Sequence, residues 1–175
     1  MKKNKTYQIV MIAMFIALEV VLEIINSKLP SLPQGGTLSF SICTIFLASY
    51  LMGVKEGAIV GAGSAIVLLL IGQFTFYGWW SLALDYVVPL AVCGLAGVIK
   101  NVHFKGREYP VGIFFAMFLK FISHYLSGVL LFAEYAPEGQ SPYFYSLWYN
   151  AYYCIPTAIL CFILVTLLLP KLKRV

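Results

Sequence analysis

The chain has 175 residues, of which 61% are hydrophobic and only 11% charged, with a formal net charge of +5. Soluble domains carry roughly 25% charged residues, so there is too little charge here to coat a water-facing surface, and the sequence reads as an integral membrane protein. Its length leaves no room for an appended catalytic or nucleotide-binding domain. Its basic residues sit at the ends of apolar segments, where they orient a membrane protein, and not in a patch suited to nucleic acid.

Apolar segments fall at 7–26, 38–52, 55–73, 80–99, 111–133 and 148–169. A spanning helix needs about 20 apolar residues, so the expected fold is an all-α membrane protein, a bundle of six transmembrane helices forming one domain over residues 1–175. The first segment follows MKKNKTYQIV, lacks a small-residue cleavage site and carries Glu19 and Glu23, so it reads as a retained helix and not as a signal peptide. The second is short for a span and must tilt or extend into its flanks. Before it lies NSKLPSLPQGG, whose prolines and glycines cannot continue a helix. QFTFYGWW, an aromatic cluster suited to a membrane interface, precedes the fourth. The four cysteines, Cys43, Cys93, Cys154 and Cys161, have no CxxC spacing and read as small buried hydrophobes.

Loop charges test this segmentation. With loops assigned alternately to two sides, one side holds Lys2, Lys3, Lys5, Lys55, Lys100, Lys105, Arg107, Lys171, Lys173 and Arg174; the other holds Lys28 alone. Basic loops face the cytoplasm, which puts both termini there. A wrong helix count would have scrambled the asymmetry.

Ionisable groups inside spans are costly and normally face a bundle interior or cavity. Five qualify: Glu19, Glu23, Asp85, Lys120 and His124. Lys120, His124, Ser127 and Leu131 follow a spacing that puts them on one helix face, with Gly128 beside them to allow close approach. Asp85 is followed by Tyr86, and Pro89 should distort that helix. In the sixth segment Tyr145, Tyr149 and Tyr153 recur every four residues, as do Ser146 and Asn150. An acid, a histidine, an amide and many aromatics near one membrane face suit a flat, polar, cationic organic ligand, because ring faces attract cations by roughly 0.5–2 kcal/mol each. The competing readings are structural: Asp85 paired with Lys120 across helices, His124 as an interhelical hydrogen bonder, tyrosines as an interface belt. Glu19 and Glu23 are expected to face water or Lys28. Ala13 and Ala17 form a small-xxx-small pair that allows close helix approach, within the chain or with a partner. No GxxxxGK[ST] loop, HExxH or Cys/His metal spacing occurs, so neither ATP hydrolysis, a metal, a cofactor nor an enzymatic role is expected.

HYLSGVLLFAEYAPEGQSPYFYSLWYNAYYCIP (124–156), LPQGGTLSFSICTIFLASYLMGVKEGAIVG (32–61) and LDYVVPLAVCGLAG (84–97) together resemble the thiamine-specific substrate-binding subunits, or S-components, of energy-coupling factor (ECF) transporters, a class of ABC vitamin importers. The resemblance runs in order along nearly the whole chain. It implies a prokaryotic plasma-membrane receptor that captures thiamine from the outer face, docked on a transmembrane coupling subunit driven by two cytoplasmic ATPases. It implies a pocket of Asp85, Tyr86, His124, Phe132, Tyr145 and Asn150, and a partner contact at Ala13 and Ala17. Asp85 would meet the aminopyrimidine or the positive charge, and Phe132 would stack on a ring. The family's acid can be glutamate and its helix-five aromatic tryptophan, so this chain carries a shorter carboxylate and a ring that stacks a cation less strongly. A receptor for another heterocycle, such as riboflavin or hydroxymethylpyrimidine, and a self-sufficient secondary transporter remain the alternatives.

Overall fold

A computed structural model describes residues 4–33 and 35–173; Lys2, Lys3 and Arg174 of the charge asymmetry lie outside them. Six helices carry the fold: α1 (Lys5–Asn26), α2 (Cys43–Met52), α3 (Val54–Leu70), α4 (Trp79–Val98), α5 (Gly112–Leu130) and α6 (Pro142–Leu172). Among the described residues α1, α4, α5 and α6 are long and apolar enough to cross a membrane. A two-stranded antiparallel hairpin, β1 (Val102–Phe104) with β2 (Arg107–Tyr109), joins α4 to α5.

The second apolar segment differs most from a continuous span. Only its last 10 residues are helical; residues 38–40 run extended between α1 and α6. Backbone that is not helical is tolerated inside a membrane protein only where other groups satisfy it. Here side chains do so: Gly36 N–H donates to the Tyr149 hydroxyl at 2.9 Å, Ser39 N–H to Thr157 Oγ1 at 3.2 Å, and Phe40 N–H to Asn26 Oδ1 at 3.1 Å. The strand-like entry therefore threads between two helices and becomes part of a cavity wall.

The turn from α2 to α3 passes through Gly53, whose φ of 127° lies where side chains are strained. Beyond it, α3 and α4 touch backbone to backbone: a Cβ on Gly61 would overlap the Leu90 carbonyl, and one on Gly94 would overlap the backbone of Gly57 and Ala58. In lipid, helices associate by packing and not by the hydrophobic effect, and this glycine-lined contact is the tightest form of it. Around it Ile45, Phe46, Val60, Leu68, Cys93, Ile113 and Cys161 form a core with almost no exposed surface. All four cysteines are buried and free, as their spacing indicated. Large apolar residues such as Ile9, Met14, Phe118, Ile155 and Leu167 face outward, where lipid covers them.

The hairpin is fastened to the end of α6. Lys173 Nζ lies 2.6 Å from Glu108 Oε1, and Asn101 Nδ2 donates to the same oxygen at 2.6 Å.

Candidate functional site

Pro89 distorts α4 in the turn before it. Its missing N–H cannot bond the Asp85 carbonyl four residues back, and the chain widens into a π turn over Leu82–Val87, with Val88 N–H reaching Ala83 O. Wide turns of this kind recur at functional sites, and this one carries Asp85 and Tyr86. Both face a cavity of about 480 Å³ that also borders His124, Gly128, Phe132, Tyr145 and Asn150. Its volume is that of a small-molecule site, for which roughly 300–1,000 Å³ is usual. Three helices, α4, α5 and α6, and the segment that follows α5 thus bring all seven pocket residues to one space.

A polar chain crosses its wall. Ser81 Oγ donates to Asp85 Oδ2 at 2.7 Å, His124 Nδ1 lies 3.7 Å from Asp85 Oδ1, and Lys120 Nζ lies 2.9 Å from His124 Nε2. A lysine ammonium only donates, so Nε2 is the acceptor and the ring proton sits on Nδ1, facing the carboxylate. Asp85 and Lys120 are accordingly linked through the imidazole and do not pair directly.

Asn150 is a hub between α5 and α6. Its Nδ2 donates to Ser146 O at 2.8 Å, while its Oδ1 accepts from the Tyr153 hydroxyl at 2.6 Å. Ser146 Oγ in turn donates to Tyr125 O on α5 at 2.9 Å. Gly128 permits this approach, since a Cβ there would collide with the Ser146 side chain. The glycine serves the α6 contact as well as the cavity surface.

Aromatic rings close the mouth. Tyr86 stacks on Phe74 at 3.9 Å between centroids, and its hydroxyl donates to Thr75 O at 3.4 Å. Phe132 lies beyond the end of α5, two residues past its last helical position, edge-on to Tyr77 at 5.7 Å and stacked with Tyr135 at 5.8 Å. Tyr149 and Tyr153 complete the wall on α6, where the four-residue tyrosine spacing turns inward and is not merely an interface belt.

Two sequence expectations are corrected. Glu19 and Glu23 do not face water or Lys28: Glu19 is fully buried and both border the cavity, because α1 packs its acidic edge against the extended 38–40 segment. Ser39 and Ser41 hydroxyls donate to Glu23 Oε2. Ser127, on the same helical face as His124 by spacing, is buried without a hydrogen-bond partner and does not border the cavity. Sequence reasoning also missed Phe74, Tyr77 and Tyr135 as wall residues; they come from loops whose path no periodicity encodes. Ala13 and Ala17 are both exposed on the outer side of α1, so neither packs within the chain. Among the described residues no cluster of His, Cys, Asp and Glu could hold a metal ion.

Comparison with known proteins fits this architecture. A solved structure of ThiT from Listeria monocytogenes superposes with a TM-score of 0.81 over 98% of both chains at 17% identity, and so shares the fold. The thiamine transporter ThiT of Bacillus subtilis (strain 168) is 32% identical over 183 aligned residues, covering 99% of this chain and 95% of the relative. A family model described as thiamine transporter protein (Thia_YuaJ) matches residues 9–175. With apolar helices that cross the cell membrane several times around a ligand-sized cavity, this chain belongs to the thiamine transporter family and is a transport protein, not an enzyme.

Proposed function

We propose that this chain, a single six-helix domain, is the thiamine-binding S-component of an ECF-type importer, with both termini cytoplasmic and its cavity open to the outer face. The observation that carries the reading is the cavity itself, in which two rows of aromatic rings and the Asp85–His124–Lys120 chain surround a space of about 480 Å³. A thiazolium cation suits ring faces, and a neighbouring carboxylate supplies the countercharge. In this assignment Asp85 serves the charged or amine-bearing part of the ligand, Phe132 stacks on a ring, and His124 lies near the thiazolium. Tyr86, Tyr145 and Asn150 supply hydrogen bonds, and Gly128 keeps the wall open.

The chain has no phosphate-binding loop, so energy must come from elsewhere. A transmembrane coupling subunit with two cytoplasmic ATPases would supply it, and the exposed Ala13 and Ala17 on α1 offer a surface flat enough for close helix docking.

Calorimetric titration of the purified chain with thiamine tests the reading. Trp79, Trp80 and Trp148 are exposed and none borders the cavity, so heat is a better readout than tryptophan quenching. Submicromolar binding is expected, and Asp85→Asn should weaken it at least about tenfold, the loss of a charge-assisted bond. Absent heat with the wild type, or wild-type affinity in the variant, would count against the assignment.

A further inference from the structure

At the basic end of the bundle, the hairpin between α4 and α5 has two unlike faces. Its register pairs Val102 with Tyr109, His103 with Glu108 and Phe104 with Arg107. Directly opposed residues in an antiparallel pair share a face, and neighbours along a strand alternate. One face therefore carries His103 and Glu108, and Glu108 is held by Lys173 and Asn101. The other carries Val102, Phe104, Arg107 and Tyr109.

That second face is continuous with the lipid-facing surface. Tyr109 stacks on Phe162 of α6 at 6.4 Å between centroids, and Phe162 meets Phe114 of α5 at 5.0 Å. Glu108 and Tyr109 reach α6 at Lys173 and Phe162, roughly three turns apart, so β2 lies alongside the end of that helix and not below it. Val102 and Phe104 are 49% and 60% exposed on the same face. The turn between the strands adds charge. Lys105 and Gly106 have φ of 48° and 73°, as a tight two-residue hairpin turn requires. Lys105 Nζ lies 5.4 Å from the Phe104 ring centroid, and Arg107 stands opposite Phe104 in the register. Both cations are exposed, and among the described residues neither pairs with a carboxylate.

An apolar pair flanked by two unpaired cations complements a boundary with acyl chains on one side and negative charge on the other. Position argues against a docked subunit here: α1, which carries the exposed Ala13 and Ala17, packs on α2 and α3, whereas the hairpin packs on α6. We propose that this hairpin face is a lipid anchor, with Val102 and Phe104 at the acyl boundary and Lys105 and Arg107 on the phosphates of anionic headgroups. The anchor does not rest on the thiamine reading, since no residue of 100–110 borders the cavity.

The test uses the purified full chain in nanodiscs of phosphatidylcholine alone or mixed with phosphatidylglycerol, read by amide exchange of residues 102–107. One basic side chain near an anionic surface favours association by about fivefold. Exchange in the anionic discs should therefore be at least about fivefold slower, and about 1 M salt should erase most of the difference. Lys105→Gln combined with Arg107→Gln should abolish the difference while thiamine affinity stays within about threefold of wild type, the two sites sharing no partner. Equal wild-type exchange in the two kinds of disc overturns the proposal, whether or not the variant folds. So does a difference that the double variant retains. Slowing reproduced by inorganic phosphate in phosphatidylcholine discs assigns the cations to a free anion and also overturns it. Slowing that appears only in the assembled transporter, whatever the lipid, gives the face to a protein and overturns it as well.

Discussion

Replacing Gly128 by alanine adds one methyl group at the point where α5 and α6 touch. The new Cβ would overlap Ser146 Oγ and stand 3.1 Å from Ser146 Cβ. The hydroxyl must rotate away, giving up its 2.9 Å bond to the Tyr125 carbonyl and its 3.2 Å contact with Asn150 Nδ2. An interhelical hydrogen bond inside a membrane protein contributes about 0.6 kcal/mol on average and up to about 1.7. Forcing a methyl into a filled contact costs about 1–3 kcal/mol more. The expected loss is therefore about 2–4 kcal/mol, or roughly 5–15 °C in melting temperature for a chain of this size. Binding should fall as well, by at least about tenfold, because Asn150 is oriented through Ser146. The four buried cysteines supply the assay: a thiol-reactive dye becomes fluorescent only as heating exposes them, and calorimetry with thiamine reads affinity on the same sample. Ser146→Ala introduced into the Gly128→Ala background removes the colliding oxygen and should recover part of the melting temperature. A melting temperature within about 2 °C of wild type, with unchanged affinity, would refute the claim that the glycine is what lets α6 approach.

Ala17→Trp places a large ring on the outer side of α1, away from the cavity. Thiamine affinity should stay within about threefold of wild type while uptake into cells expressing the complete transporter is lost, because close helix docking needs small residues. Uptake at the wild-type level would rule out this face as the docking surface. At the other end of the molecule, Lys173 and Asn101, in that order of effect, hold the Glu108 carboxyl below its ordinary value of 4.5. A depressed carboxyl stabilises the folded state above the unfolded value, and that contribution disappears as pH falls through the depressed folded one. The clasp should therefore persist from neutral pH to below 4.5. Lys173→Ala should move its loss upward towards that ordinary value. Amide exchange of residues 102–109, corrected for intrinsic rates, reads this out. With Lys173 partly exposed the effect should be at most about 1 kcal/mol, and identical pH profiles for the two proteins would contradict it.

Apolar segment length and loop charge were enough to read six helices, because lipid forces each span to satisfy its own backbone and leaves basic residues at the ends. Asp85, His124 and Lys120 were legible as inward-facing groups for the same reason: lipid penalises charge wherever it is not enclosed. What charge cost could not settle was the partner of each group. Glu19 and Glu23 sit one turn apart near Lys28 in sequence, which suggested a water-facing pair. Segment 38–40 lies between α1 and α6, and Ser39, with Ser41 just after it, holds Glu23 at the cavity instead.

Local sequence determined that six helices form, and the missing N–H of Pro89 accounts for the wide turn in α4 that carries Asp85 and Tyr86, though not where α2 begins. It also determined which residues are too polar for lipid, since that is a property of each side chain alone. Only the tertiary structure decided that Phe74, Tyr77, Phe132 and Tyr135 close one mouth, that an imidazole stands between Asp85 and Lys120, and that Glu19 ends buried at the cavity wall. Those outcomes depend on how elements distant in the chain meet, down to a glycine at 128 that admits a serine at 146. Helical periodicity fixes the faces of one helix; only packing decides what each face meets.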